Sequence, residues 1–273
     1  MNTEDYQFIT KVVKEKSGID LGHDRMSLVS NRLEHLLGKY KVPTITELVS
    51  LFKNANNITL LNDIISALTT NETFFFRDTR PFTLLEKELL PKIIDINKNS
   101  KKLSIWSAAC SQGQEPYSIA IILQEKFPEL SNWNVEIVAT DIDENVIEYA
   151  KDATYSRFEV NRGLSKDLQE KYLEQHESKW KIDSKTRNMV NFKVLNLLDI
   201  KELTQKFDII FCRNVLIYFD KPTKNLILEN LQQNMYSHTP LILGGAETTV
   251  GINNNFERIY AQETSYFQLK STL

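Results

Sequence analysis

The sequence predicts an α/β protein with a doubly wound parallel sheet, preceded by a small all-helical domain. Three observations support this fold class. Strand-like and helix-like segments alternate after about residue 100, apolar residues before residue 69 recur at helical spacing, and that first part contains no alternating β-branched stretch. We therefore expect a helical domain over residues 1–68 and an α/β domain over residues 69–273.

The first 68 residues have the apolar spacing of amphipathic helices. Two groups each fall on one helix face, namely Phe8, Ile9, Val12 and Val13, and then Leu28, Val29, Leu33, Leu36 and Leu37. Gly18, Gly22 and the segment 38–43 separate the helices, and residues 44–47 have the composition of a helix start. The sequence thus predicts several short helices that pack together.

The second part contains continuous apolar runs that are typical of buried strands. They cover residues 103–109, 135–140, 207–212 and 239–244. Helical patterns follow the first two runs, and another helix is predicted at 222–235. This alternation favours a parallel sheet with helices on both faces. The last residues, 256–269, alternate like a β-hairpin.

One stretch interrupts the alternation and predicts a small antiparallel β insertion at about 176–195. Two β-like segments, 180–183 and 189–194, flank a turn-like segment at 184–188. We expect these two segments to pair with each other outside the main sheet.

Composition argues against several classes of function. The chain has 41% hydrophobic and 25% charged residues and a formal net charge of −3, so a basic coat for nucleic acid is not expected. No apolar run reaches the roughly 20 residues that span a bilayer, and the first residues lack an apolar signal-peptide core. Two cysteines, Cys110 and Cys212, fit a reducing cytoplasm and a buried packing role. The four histidines lack ligand spacing and predict no metal site.

The turn after the first predicted strand is a candidate cofactor site, because ligands of doubly wound sheets bind at the carboxyl ends of the strands. Residues 108–116 contain one glycine instead of the glycine-rich pattern of a dinucleotide site, and Glu115 would repel phosphate. A cationic, phosphate-free nucleoside such as S-adenosylmethionine suits this turn better. An ordinary strand–helix connection explains the turn equally well.

Asp141 follows the second predicted strand, where an acid can bind both hydroxyls of a ribose. The alternative is that Asp141 only caps the next helix, a role for which Asp143 is also a candidate. The glycine-containing turn after the preceding strand favours the ribose interpretation.

Two further segments have unusual compositions. Residues 71–77 place three consecutive phenylalanines between polar residues. This segment is either a linker attached to the core by its rings, or a segment folded over a ligand with Asn71, Thr73 and Arg77 pointing inward. Tyr218, in the segment 211–219, is either a packing residue or part of the site.

Five motifs occur in order along the chain: NETFFFR at 71–77, AACSQGQEPYS at 108–118, ATDID at 139–143, NLL at 196–198 and FCRNVLIYF at 211–219. Together they resemble the chemotaxis receptor glutamate methyltransferases, the CheR family. The resemblance covers nearly the whole chain. It implies a Rossmann-like methyltransferase domain behind an all-α domain, with S-adenosylmethionine as cofactor and S-adenosylhomocysteine as product. The implied reaction converts receptor glutamate side chains into methyl esters.

The resemblance also implies roles for individual residues. Asn71 and Thr73 are placed near the tail of S-adenosylmethionine. Arg77 is placed at the cofactor and at the methyl-transfer site, which makes it a catalytic residue. Glu115 and Asp141 are implied to hold the amino group and the ribose of the cofactor.

The adenine and the acceptor are assigned in the same way. Asn196 and Leu197 are implied to flank the adenine, and Arg213 and Asn214 to lie near the methyl donor. Tyr218 is implied to orient the target carboxylate as the second catalytic residue. An ionised glutamate needs no general base, which fits a sequence without an activated histidine or thiol.

The implied partner is the cytoplasmic helical domain of chemoreceptors. Four cations of the helical domain are candidates for this contact, with a solvated face as the alternative: Arg25, Arg32, Lys39 and Lys41. A receptor C-terminal peptide at the β insertion and a monomeric state are further expectations, with no nucleic acid and no membrane insertion. The functional alternatives are a cofactor-binding sensor or adaptor, and a methyltransferase for a small molecule or another protein.

The sequence departs from the family pattern at Gln112, at Gln114 and at residues 244–247. At residues 244–247, Gly-Gly-Ala-Glu replaces the Ser-Glu or His-Ser-Glu that is more usual in the family. None of these changes removes Glu115, but we expect the wall of the pocket near 244–247 to differ.

Overall fold

The computed structural model describes residues 1–55, 57–261 and 264–270. Its first part consists of four helices: α1 (Thr3–Ser17), α2 (Met26–Tyr40), α3 (Ile45–Ala55) and α4 (Ile58–Leu68). Asn2 and Asn57 cap α1 and α4 by accepting the backbone N–H groups of Asp5 and Leu60. The predicted all-α character of this part is confirmed. No helix in the described residues is long and apolar enough to cross a membrane.

The α/β part contains ten strands, seven of which form one sheet. These seven are β1 (Lys102–Ala108), β2 (Asn134–Asp141), β6 (Val190–Val194), β7 (Ile209–Cys212), β8 (Leu241–Leu243), β9 (Phe256–Ala261) and β10 (Thr264–Leu269). The strand order is β6-β2-β1-β7-β8-β10-β9, with the first five parallel and the last two antiparallel. The chain reverses its winding direction between β1 and β7, so the doubly wound prediction is confirmed and the ligand crevice is expected there.

The three remaining strands form a small antiparallel sheet in the order β3-β5-β4. They are β3 (Thr154–Ser156), β4 (Leu173–His176) and β5 (Lys179–Ile182), accompanied by α9 (Arg157–Asn161), α10 (Lys166–Tyr172) and α11 (Ser184–Arg187). A separate antiparallel sheet is therefore confirmed.

The predicted bounds of this insertion, 176–195, were wrong in part. Residues 190–194 are β6, which pairs in parallel with β2 from Ile137 to Asp141. Residues 184–187 form a helical turn capped by Asp183, and the partners of β5 come from before residue 177. An alternating apolar segment has the same pattern whichever edge it joins, so its pairing depends on which strand edge the fold leaves open.

Helices cover both faces of the main sheet. They are α5 (Arg80–Leu84), α6 (Leu90–Asn97), α7 (Gln114–Lys126), α8 (Glu144–Asp152) and α12 (Lys221–Gln233), with a π-helical turn, Leu85–Leu89, between α5 and α6. Along β1, Ile105 belongs to the apolar core that includes α5–α7, whereas Trp106 belongs to the core that includes α12 and the four N-terminal helices. The N-terminal helices therefore share one core with the sheet.

Candidate functional site

A cleft lies at the carboxyl ends of β1, β2 and β7, where the winding direction of the sheet reverses. It encloses about 970 Å³ of empty space, part of it open to solvent, a size suited to a small-molecule ligand. All ten site residues expected from the sequence line this cleft: Asn71, Thr73, Arg77, Glu115, Asp141, Asn196, Leu197, Arg213, Asn214 and Tyr218. The structure thus brings together residues separated by up to about 150 positions.

The turn after β1 is built around the carboxylate of Asp141. Ala109 and Ser111 both adopt left-handed backbone conformations, with φ of 58° and 51°. This turn directs the Ser111 N–H onto Asp141 Oδ2 at 2.8 Å, while the Asp143 N–H donates to Oδ1 at 3.1 Å. Burial raises the pKa of the Asp141 carboxyl to about 6. Both oxygens keep a lone pair for a ligand donor.

Asp143, and not Asp141, is the N-cap of α8. Its Oδ1 accepts the Asn145 N–H at 2.9 Å, the position of a capping hydrogen bond. Its Oδ2 accepts the Ser66 hydroxyl at 2.8 Å and the Asn71 amide at 3.2 Å. The capping alternative for Asp141 is therefore taken over by its neighbour, which also holds the start of the 71–77 segment.

A buried ion pair connects β1, α7 and the residue after β7. Glu115 accepts the Ser107 hydroxyl at 2.7 Å on Oε1 and the Arg213 guanidinium at 2.8 Å on Oε2. The Arg213 side chain is only 2% exposed, and it also donates to the Arg77 carbonyl and to Asp78 Oδ2, at 2.9 and 2.7 Å. Arg213 therefore fixes the cleft wall and residues 77–78 at the same time.

Residues 71–79, which we call the strap, run along one side of the cleft. Phe75 is fully buried edge-on against Tyr155, with ring centroids 5.2 Å apart, and the Phe76 N–H donates to Ser118 Oγ. The strap passes so close to Gly163 that a Cβ there would overlap the Phe75 carbonyl oxygen.

The strap combines both of its predicted roles. Its rings attach it to the body of the protein and are absent from the lining of the cleft. Asn71, Thr73 and Arg77 do face the cleft, as the second interpretation proposed. Arg77 lies against the Phe74 ring, 5.7 Å from its centroid, and donates to the Glu72 carbonyl.

The N-terminal helices close the opposite side of the cleft. Ser17, the last residue of α1, and Ile19, which follows this helix, are among the lining residues. Asn196 donates from Nδ2 to the Lys16 carbonyl at 2.7 Å, and the Asp20 N–H donates to the Tyr218 carbonyl at 2.9 Å. The sequence indicated only a partner-binding role for this domain and no place in the site, because no local pattern links residues 180 or more positions apart.

Glu247 was also missed as a site residue, although its segment was noted as unusual. Its side chain is buried and accepts four backbone N–H groups, those of Asn214 at 2.8 Å, Val215 at 2.9 Å, Ile217 at 3.3 Å and Gly244 at 2.6 Å. Glu247 thus holds the turn that carries Asn214 and leads to Tyr218.

The two cysteines are buried, and burial raises the pKa of both thiols. Cys110 lines the cleft, and Cys212 ends β7. Elevated thiol pKa values favour the packing interpretation over a nucleophilic one. The described residues contain no group of histidines, cysteines and carboxylates that could hold a metal ion.

The lining chemistry fits a nucleoside that carries an amine. Asp141 and Glu115 supply buried carboxylates for hydroxyl and ammonium donors. Ile142, Leu197 and Val215 supply apolar surface for a base.

Two family models match the chain along almost its whole length. The model described as "CheR methyltransferase, all-alpha domain" matches residues 4–69, and "CheR methyltransferase, SAM binding domain" matches residues 71–265.

The chain belongs to the CheR methyltransferase family.

Relatives of similar length support this membership. A "Chemotaxis protein methyltransferase" of Vibrio parahaemolyticus is 35% identical over 99% of this chain and 98% of its own length. A protein of the same description from Borreliella burgdorferi is 37% identical over 92% of this chain and 90% of its own. Most of the residues that line the cleft belong to the SAM-binding domain of this CheR chain, and S-adenosylmethionine is its cofactor.

Proposed function

We propose that this CheR chain methylates glutamate side chains of chemotaxis receptors and forms glutamate methyl esters. The observation that carries the proposal is the cleft, in which Arg77 and Tyr218 stand beside the two buried carboxylates of a SAM-binding domain. The relatives named as chemotaxis protein methyltransferases support the receptor as substrate. A glutamate carboxylate is already ionised at neutral pH, so the reaction needs no general base. None of the four histidines lines the described cleft.

Asp141 and Glu115 would hold the ribose and the amino group of the cofactor, respectively. Asn196 and Leu197 would flank the adenine. When bound, S-adenosylmethionine supplies a methyl group on a cationic sulfur. Glu115 accepts the Arg213 guanidinium and the Ser107 hydroxyl on different oxygens, and each oxygen keeps a lone pair for an ammonium donor.

Tyr218 and Arg77 would align the acceptor carboxylate. Tyr218 is half-buried in the cleft, and the Asp20 and Glu247 contacts fix the backbone on which it sits. Alignment and loss of water around the carboxylate can each supply several kcal/mol of rate enhancement. Because a guanidinium paired closely with the nucleophile would reduce its reactivity, we assign the closer contact to the Tyr218 hydroxyl.

One of the four cations predicted to face the receptor has a different role. Arg32 is not a free surface charge: its guanidinium donates to the Leu68 and Thr69 carbonyls at 2.8 and 2.9 Å and caps the end of α4. Lys39 forms an ion pair with Asp63, with Nζ 2.6 Å from Oδ2, so its charge is only partly available to a receptor. Arg25, Lys39 and Lys41 remain as exposed cations of α2 and its ends for the cytoplasmic helical domain of a receptor.

The small sheet would serve as the second receptor contact. Its outer strand β4 pairs only with β5 among the described strands, so its other edge can accept an extended receptor peptide. This function would place the chain in the cytoplasm as a monomer. No observation favours an adaptor or another substrate class.

The decisive experiment incubates the protein with methyl-labelled S-adenosylmethionine and membranes that contain chemoreceptors. Methyl esters hydrolyse in mild base, whereas N-methyl groups do not, so we expect receptor-bound label that mild base releases. Base-stable label, or label on no receptor, would contradict glutamate methylation.

The Tyr218→Phe variant tests the assigned alignment. Deleting only the hydroxyl should lower kcat by about 10- to 100-fold, the equivalent of one hydrogen bond to a charged group, with little change in the dissociation constant of S-adenosylhomocysteine. Tyr236→Phe is the matched control, since Tyr236 is 41% exposed and stacks on His238 outside the cleft. Equal turnover of the two variants would assign Tyr218 to packing.

Asp141→Asn should affect ligand affinity and the free energy of unfolding in different ways. The folded-state pKa of about 6 lies above the ordinary value, so the stability from this carboxyl is complete at low pH and is lost as the pH rises through about 6. One of the two backbone N–H groups that Asp141 accepts becomes unpaired in the variant, and this cost does not depend on pH. Without ligand, the stability of the variant relative to the wild type should therefore rise by about 2 kcal/mol between pH 4 and pH 7.5. It should bind S-adenosylhomocysteine about 10- to 100-fold more weakly.

Urea unfolding at the two pH values and calorimetry provide both measurements. Asp95→Asn is the control, because Asp95 is a highly exposed carboxyl. Unchanged ligand affinity in a folded Asp141→Asn protein would remove Asp141 from the ribose site.

A further inference from the structure

A second groove, which we call the hairpin groove, adjoins the cleft. Its floor is one face of the β9–β10 hairpin, where Arg258 and Tyr260 lie two positions apart opposite Phe267 and Ser265. Its walls come from the start of α5 and from the segment after β8. The wall residues are Asp78, Arg80, Pro81, Leu243, Gly244, Gly245 and Glu247. None of the residues assigned to the cofactor belongs to this groove.

The hairpin groove and the cleft share a wall. Asp78, at the rim of the groove, pairs with Arg213 of the cleft at 2.7 Å. A Cβ on Gly244 would lie 2.9 Å from the Asn214 backbone nitrogen, so the two surfaces are separated only by the turn around Asn214. A Cβ on Gly245 would meet nothing within 4 Å. The Gly-Gly pair noted in the sequence thus keeps this wall low and the groove open.

The carboxylates of the groove already have partners within the protein, whereas its arginines form no ion pair with a described carboxylate. Asp78 is used by Arg213, and both oxygens of Glu247 accept backbone N–H groups. Arg80 is exposed, and neither Arg80 nor Arg258 forms an ion pair with a carboxylate in the described parts of the chain. Arg258 lies over the Phe267 ring, 5.1 Å from its centroid. Its hydrogen bond to the Thr248 hydroxyl is long, at 3.4 Å, and its buried Nε lacks a partner among the described residues. The unused hydrogen-bond capacity here is that of guanidinium donors.

An exposed aromatic ring lies beside these donors. Tyr260 is 79% exposed, which is high for a large side chain on a sheet. Tyrosine and arginine are, with tryptophan, the residue types enriched among the strongest contributors to protein–protein binding. Guanidinium groups also recognise carboxylates with two parallel hydrogen bonds. These features fit an acidic segment of a protein, and they lie next to the position proposed for the acceptor glutamate.

We propose that the hairpin groove binds the receptor segment adjoining the methylated glutamate, with a second acidic side chain of that segment on Arg80 and Arg258. This inference rests on the proposed function for the identity of the partner. The groove would select glutamates that have an acidic neighbour within reach and would set the register of the substrate over Tyr218. It would act on receptor binding and leave the bound cofactor unaffected.

The test compares Arg80→Gln and Arg258→Lys with Lys102→Gln, which removes an exposed charge at the opposite end of β1. The probe is a purified cytoplasmic fragment of a chemoreceptor, labelled for fluorescence anisotropy with the enzyme saturated in S-adenosylhomocysteine. Arg80→Gln should weaken fragment binding about 3- to 5-fold at low salt and reduce the salt dependence, as for a charge at an interface rim. Arg258→Lys, which keeps the charge but loses the planar fork, should have a smaller effect in the same direction.

Methylation kinetics supply the second measurement. The KM for the fragment should rise in Arg80→Gln with kcat and the dissociation constant of S-adenosylhomocysteine unchanged. Fragment affinity equal to that of Lys102→Gln would overturn the groove proposal, even if the wild-type label is base-labile. Conversely, base-stable label with weakened fragment binding would support the groove and contradict glutamate methylation, so the two proposals fail separately.

Discussion

Glu115→Ala is expected to destabilise the protein by about 3–5 kcal/mol, because it leaves the Arg213 guanidinium buried without its main partner. The Arg213 side chain is 2% exposed and that of Glu115 is 11% exposed, so solvent cannot replace the lost carboxylate. The Ser107 hydroxyl, also buried, loses its acceptor in the same variant. Urea unfolding without ligand measures this effect.

Asp78→Asn is the matched control, since it changes the other carboxylate of the same arginine. The Asp78 side chain is 49% exposed, and an ion pair at such a position contributes at most about 1 kcal/mol. If Glu115→Ala and Asp78→Asn unfolded at the same urea concentration, the buried pair would not hold the cleft together. Glu115→Gln, which keeps an acceptor for Arg213, should remain folded and serves to measure cofactor affinity.

Glu247→Gln should lower the free energy of unfolding by about 2–4 kcal/mol and also reduce turnover. An amide nitrogen cannot accept a hydrogen bond, so two of the four backbone N–H groups around this side chain become unpaired, at about 1–3 kcal/mol each. Because these N–H groups belong to the turn that leads to Tyr218, kcat should fall in the fraction of enzyme that stays folded.

The control for this variant is Glu257→Gln, an exposed carboxylate on β9. A surface change of this kind is expected to alter stability by less than about 0.5 kcal/mol. Denaturation measures the stability of both variants, and methylation assays measure their kcat. Wild-type stability in Glu247→Gln would show that the four N–H groups find other acceptors and that Glu247 does not position the turn.

Glu115 and Glu247 illustrate how this cleft is assembled. Each is a buried acceptor that joins residues about 30 to 100 positions apart in the chain. The backbone that carries the residues proposed to bind the cofactor is therefore held in place by carboxylates that also have a structural role. A substitution at either position should be interpreted from stability and kinetics together, since a fall in activity alone would not distinguish loss of fold from loss of alignment.

Much of the site followed from the sequence because it lies at strand ends. β1, β2 and β7 are parallel, so the residues that follow each strand must meet at one edge of the sheet. The positions of Glu115 and Asp141 after predicted strands were enough to expect them together. Composition made the strap and Tyr218 candidates, and the motif resemblance added Arg213 and the individual roles. The structure places these residues along one cleft.

Tertiary structure alone decided which partners the remaining groups found. The segment 190–194 has the alternation of a strand, but only the open edge of β2 made it part of the main sheet. Arg32 looked like a surface charge, yet the unpaired carbonyls at the end of α4 lie within its reach. Glu247 binds backbone N–H groups some 30 residues away, and backbone groups carry no sequence identity. Local periodicity reports which face of an element is apolar; the long-range contacts of a polar side chain depend on where the folded chain leaves donors and acceptors unpaired.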